Sequence, residues 1–182
     1  MIEKYALFKA LTALIQHPKE NSVRFLAKNA NIGTATSKRC LDWLFEKELV
    51  KRKIIGRNHL YSLNLENILT RHIKILFSLN QIKEAGIVEE VLSRYPAVIS
   101  IVLYGSAARG EDDPFSDIDI LLISRKKIKI SSLKAETKLK RETSFLAYTF
   151  QEWKEKAKKD KPFYDRVVIE GISLYGEKPV VY

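Results

Sequence analysis

The chain has 182 residues, 46% of them hydrophobic and 30% charged, proportions that exclude a wholly disordered polymer. Lys and Arg outnumber Asp and Glu by 32 to 22, a formal net charge of +10 that calls for an anionic partner: a nucleic acid, a nucleotide or an acidic surface. A single cysteine, Cys40, excludes an intrachain disulfide and a multi-thiolate zinc site.

No apolar run approaches the ~20 residues a membrane-spanning helix needs. Met1-Ile2-Glu3-Lys4-Tyr5 does not read as a signal peptide. The expectation is a soluble cytoplasmic protein with no membrane partner. The charge is uneven. Residues 1–65 hold 12 Lys and Arg against 5 Asp and Glu, residues 66–94 hold 4 of each, and residues 95–182 hold 16 against 13. Such asymmetry predicts separate modules, the first of which meets a polyanion.

Tyr5, Leu7, Phe8, Leu11, Leu14 and Ile15 recur at helical spacing, and Pro18 ends that helix. Ser22 stands as N-cap before a short second helix, and Asn31-Ile32-Gly33 marks a turn. Thr34 or Thr36 then caps a third helix through Leu41, Trp43, Leu44 and Phe45. A strand from Leu49, a turn at Gly56-Arg57-Asn58 and a strand from His59 complete the module. This order resembles a winged helix-turn-helix domain over residues 1–65. The resemblance implies a recognition helix that enters the DNA major groove and a wing that touches the backbone or the minor groove. DNA contacts would then come from Thr34, Thr36, Ser37 and Lys38 on the helix, and from Arg57, Asn58 and His59 at the wing.

Residues 66–95 read as connecting helices. Ile68, Leu69, Ile73, Ile75, Leu76 and Leu79 form an apolar face, continued past Gly86 by Ile87, Val88, Val91 and Leu92. That face bridges the modules or seals a homodimer. Tyr95-Pro96 stops the helix.

Residues 98–104 are a near-continuous apolar run, the pattern of a buried strand. Gly105-Ser106-Ala107-Ala108-Arg109-Gly110 follows, then a polar turn-rich stretch, then Ser116-Asp117-Ile118-Asp119 leading into a second apolar strand. Two carboxylates two apart on a strand share a face. They repel unless a cation stands between them, and hard oxygen ligands on one face suit Mg2+ with a phosphate. A glycine and a serine just after a strand let backbone N–H groups approach phosphate. No Gly-Lys-Ser/Thr of a P-loop follows.

These residues resemble the minimal nucleotidyltransferase domain of the DNA polymerase β superfamily, over residues 96–182. The implied fold class is α+β: an N-terminal winged helix-turn-helix, connecting helices and a C-terminal mixed sheet with helices. The implied chemistry is Mg2+-dependent transfer of a nucleoside monophosphate from a nucleoside triphosphate, with release of pyrophosphate. Gly105 and Ser106 would hold phosphates, and Asp117 and Asp119 the metal. Arg109 would neutralise the triphosphate, or instead point to solvent or pair with Asp112 or Asp113. Active members of this superfamily carry a third carboxylate on a later strand. Here that strand, 144–149, has no acid; the family position falls near Ser144, and Glu142 is the candidate third catalytic residue. Two functions compete. One is a nucleotidyltransferase recruited by its winged helix. The other is a DNA-binding transcription regulator whose transferase-like domain is weak or inactive and senses a nucleotide or a partner protein, such as a toxin-like helical chain.

Overall fold

The structure is a computed structural model that describes residues 5–139 and 141–181. It divides into two compact units, the first ending at Lys74 and the second beginning at Ile75.

In the first unit, α1 (Ala6–Gln16) buries Ala10, Leu11, Ala13 and Leu14 on one side. The two-residue strand β1 (Asn21–Ser22) leads into α2 (Val23–Ala30). The Ser22 hydroxyl accepts from the Phe25 N–H at 3.3 Å, the expected cap. Asn31 ends α2 in the left-handed region, with φ 49°. The N-cap of α3 (Thr34–Glu46) is Gly33, without a side-chain bond, so the cap expected from Thr34 or Thr36 is not made. Ser37, Leu41 and Leu44 form the buried stripe of α3. An antiparallel hairpin follows, β2 (Val50–Ile55) and β3 (Asn58–Leu63), in a sheet of order β1-β3-β2. Tyr61 is fully buried, and its hydroxyl donates to Asp42 Oδ1 at 2.7 Å, tying the hairpin to α3.

α4 (Ile68–Ala85) carries the chain into the second unit. The helical pattern expected to run on past Gly86 is broken there. Gly86 has φ 82°, and α5 (Ile87–Arg94) starts afresh. Then come β4 (Val98–Tyr104), the five-residue α6 (Gly105–Arg109), β5 (Ile118–Ser124) and α7 (Glu136–Leu139). β6 (Thr143–Thr149), α8 (Phe150–Lys159), α9 (Lys161–Glu170) and β7 (Ile172–Tyr175) follow. The sheet order is β6-β5-β4-β7. β5 and β6 are parallel, whereas β4 pairs antiparallel with β5 and β7, so the sheet is mixed, as expected.

Alternation sorts the strands onto two faces. Ile101, Leu103, Ile118, Ile120 and Leu122 pack with Ile82, Ile87 and Val91 of α4 and α5 and with Ala107 of α6. Val102, Leu121 and Ile123 pack with Trp153 of α8 and Val167 of α9, flanked by Tyr104, Leu146 and Tyr148. Among the described residues, no helix is long and apolar enough to cross a membrane.

Candidate nucleotide and metal site

Asp119 is the second residue of β5 and has the parity of Leu121 and Ile123, so it stands on the sheet face covered by α8 and α9. Asp117, one residue before the strand, has the same parity and is exposed, whereas Asp119 is half-buried. Across the sheet, Asp119 is the register partner of Tyr104 on β4 and of Ser144 on β6. The strand-to-helix step after Tyr104 is made by Gly105, with φ 75°. A Cβ there would overlap the Asp119 Oδ2 atom, so only glycine lets the carboxylate lie against the backbone. Burial first, and the Asp117 charge second, push the Asp119 carboxyl above its ordinary value, against the opposing pull of Arg109 and Arg141. Tyr104 is pushed up to about 12, by burial first and then by the charge of Asp119.

The sequence placed Gly105, Ser106, Arg109, Asp117 and Asp119 in one site. Gly105 and Asp119 do meet, and Ser106 is the second residue of α6. Arg109 neither points free nor pairs with Asp112 or Asp113. Its Nε donates to Glu111 at 2.7 Å and its Nη1 to Glu170 at 3.1 Å. The structure does not bring Glu142 together with Asp117 and Asp119 into one group. Among the described residues no group of three His, Cys, Asp or Glu side chains is disposed to hold a metal ion. Glu142 precedes β6 and lines a separate open cleft with Ser132, Lys134, Glu136 and Thr137. Ser144, with a hydroxyl and no charge, holds the place opposite Asp119.

Sequence reasoning missed the support of the loop before Asp117. Asp112 and Arg141 form a buried ion pair, Nη1 to Oδ2 at 2.7 Å, with side chains 6% and 8% exposed. Arg141 Nε also donates to the Ser116 carbonyl at 2.8 Å. The loop closes on itself through Asp113, whose Oδ1 accepts from the Phe115 N–H at 2.8 Å and the Ser116 hydroxyl at 3.0 Å. Those bonds hold the Asp113 carboxyl below its ordinary value, the Phe115 N–H contributing most.

In the first unit, an open cleft of about 690 Å³ is lined by Ser22, Arg24, Thr34, Lys38, Arg57, Asn58 and His59, among others. Five of the seven expected DNA-contact residues thus line one surface. Thr36 is half-buried and does not line it. Ser37 is withdrawn from any partner, because it is fully buried on the core stripe of α3. Arg24 is the cation the sequence reading did not single out. It follows the Ser22 cap by two residues, at the exposed start of α2.

The family described as polymerase beta, nucleotidyltransferase, matches residues 87–179. No curated protein matches the chain. Among solved structures, a protein assigned as a nucleotidyltransferase from Sulfolobus solfataricus is 24% identical. The likeness covers 63% of this chain and 94% of that one, with a TM-score of 0.36. HmgR of Pseudomonas aeruginosa is 17% identical over 54% of this chain and 42% of that one, with a TM-score of 0.31.

Proposed function

This chain belongs to the polymerase β nucleotidyltransferase family, and we propose that its second unit binds a nucleoside triphosphate with Mg2+ and transfers the nucleoside monophosphate to an acceptor. The observation that carries this reading is the approach of the Asp119 carboxylate to the backbone of Gly105. It sets an anionic cation-holding group beside the first backbone N–H groups of α6, where phosphate oxygens accept. The donor set fits a hard divalent cation. Asp117 and Asp119 repel one another, Asp119 is held above its ordinary pKa, and a cation between them would relieve both. When bound, Mg2+ would supply charge stabilisation for the attacking and leaving oxygens. Gly105 and Ser106 would seat the phosphates, Asp117 and Asp119 would fix the metal, and Tyr104 would remain a neutral hydroxyl at neutral pH.

The test is calorimetric titration with nucleoside triphosphate and Mg2+, followed by transfer of labelled nucleotide to cell lysate. Wild type is expected to bind, and Asp117→Asn with Asp119→Asn to lose the Mg2+-dependent part of the affinity. Neither binding nor transfer by wild type would sink the proposal. A second reading is favoured because, among the described residues, no third carboxylate joins Asp117 and Asp119 in a metal-holding group. In that case the protein binds the triphosphate without turnover and acts as a DNA-binding regulator. The first unit then supplies the DNA surface through Arg24, Lys38 and Arg57, with Thr34, Asn58 and His59 beside them. Binding without label transfer is the outcome that selects this reading.

A further inference from the structure

We infer that Arg141 is a positioning residue for the metal site, acting through the backbone on either side of Asp117; the inference rests on the triphosphate–Mg2+ reading above. Three observations converge. Arg141 is a cation whose side chain is only 8% exposed, and it is paired with an equally buried carboxylate, Asp112. Such a pair is costly to desolvate, and on its own it is weak evidence of stabilisation. Its placement gives it another use. Arg141 Nε holds the carbonyl of Ser116, the residue before Asp117. The next residue along from Arg141, Glu142, accepts with its carbonyl from the N–H of Ile118, the residue after Asp117, at 2.9 Å. The dipeptide 141–142 thus grips the chain on both sides of the exposed carboxylate.

The grip matters because Asp117 lies before β5 rather than in it. Asp119 is fixed by the sheet register and by its contact with Gly105. Asp117 has no ladder of its own, so the clamp decides where its carboxylate stands. Asp112 completes the brace from the far end of the loop. Its Oδ2 takes Arg141 Nη1 and, more weakly, the Ser78 hydroxyl at 3.4 Å, which ties the loop to α4. A metal site with two carboxylates depends on their spacing, and one of the two would be free to swing without this brace. Groups that orient a metal ligand typically carry 10–100-fold of metal affinity.

The test separates positioning from folding. The paired replacement Asp112→Leu with Arg141→Met removes both buried charges together, which proteins commonly tolerate. Arg141→Lys keeps the charge but not the fork that holds Ser116 and Asp112 together. Three quantities are measured on the full chain: Mn2+ affinity by electron paramagnetic resonance, adenosine triphosphate affinity in EDTA, and amide exchange at Phe115 and Ile118. The expected result is a Mn2+ affinity lower by about 10-fold or more in both variants. Affinity for the metal-free nucleotide stays unchanged, exchange at the two amides is faster, and Arg141→Lys falls between wild type and the double variant. Unchanged Mn2+ affinity in a folded variant overturns the inference, as does unchanged exchange at both amides. If the double variant does not fold, Arg141→Lys decides by the same readings. If wild type binds neither Mn2+ nor nucleotide, the functional reading has failed. The exchange measurement then still tells whether Arg141 orders the chain around Asp117.

Discussion

Asp119 holds a proton more readily in the fold than a free carboxyl does, and that has a thermodynamic sign. Its folded pKa lies above the ordinary 3.8, so the folded chain binds this proton more tightly than the unfolded chain does. Its contribution to stability therefore falls as pH climbs from about 3.8 through the raised pKa, and stays lower above it. Asp119→Asn in metal-free protein should raise the melting temperature at pH 7, and the gain should shrink as pH falls toward the ordinary carboxylate value. Thermal scans between pH 4 and 7 check this; a lower melting temperature at pH 7 would contradict the strain. The carboxylate pair was legible in the sequence by its spacing of two, although only Asp119 lies within β5 and Asp117 precedes it. The Asp112–Arg141 brace was not, because the two residues are 29 apart and meet only through the chain's path between β5 and β6. The burial of Ser37 has a signal in the sequence. Positions 37, 41 and 44 form one helical stripe, and a small residue on such a stripe is buried.

At the scale of elements, α8 shows how a local signal places a whole helix. Thr149-Phe150-Gln151-Glu152 is a capping box. The Thr149 hydroxyl accepts from the Glu152 N–H at 3.2 Å, and Glu152 Oε2 accepts from the Thr149 N–H at 2.8 Å. The cap sets the phase that drives Trp153, fully buried, onto the sheet face, where its Nε1 donates to the Pro179 carbonyl at 2.7 Å. Thr149→Ala should cost about 1 kcal/mol in urea denaturation. No measurable change would mean that packing around Trp153 alone fixes the helix. The apolar strands β4 and β5 were readable from their runs, whereas the helix α6 falls where the sequence reads as a small-residue turn. The parallel sense of β5 and β6 was not readable, because strand direction depends on the intervening chain and leaves no residue pattern. The break at Gly86 was foreshadowed by a residue at home with φ 82°, although the apolar face runs past it without interruption.

At the scale of the whole molecule, the opening charge is unevenly placed along the chain. The first 65 residues carry 12 Lys and Arg against 5 acids, and their cations Arg24, Lys38 and Arg57 line one cleft. If that cleft meets DNA phosphates, Lys38→Ala and Arg57→Ala should each lower the slope of log affinity against log salt by about 1. Gel-shift titrations across salt concentrations measure it, and unchanged slopes would move the contact surface elsewhere. The sheet order has a consequence in time. β4 lies between β5, reached by the short connection 105–117, and β7, which begins only at Ile172. A ribosome makes chain at roughly 5–20 residues per second. The meeting of Gly105 with Asp119 needs only the nearby pair β4 and β5, so it can form early in synthesis. For a few seconds afterwards, the other edge of β4 stands bare in the growing chain, awaiting the strand that will cover it.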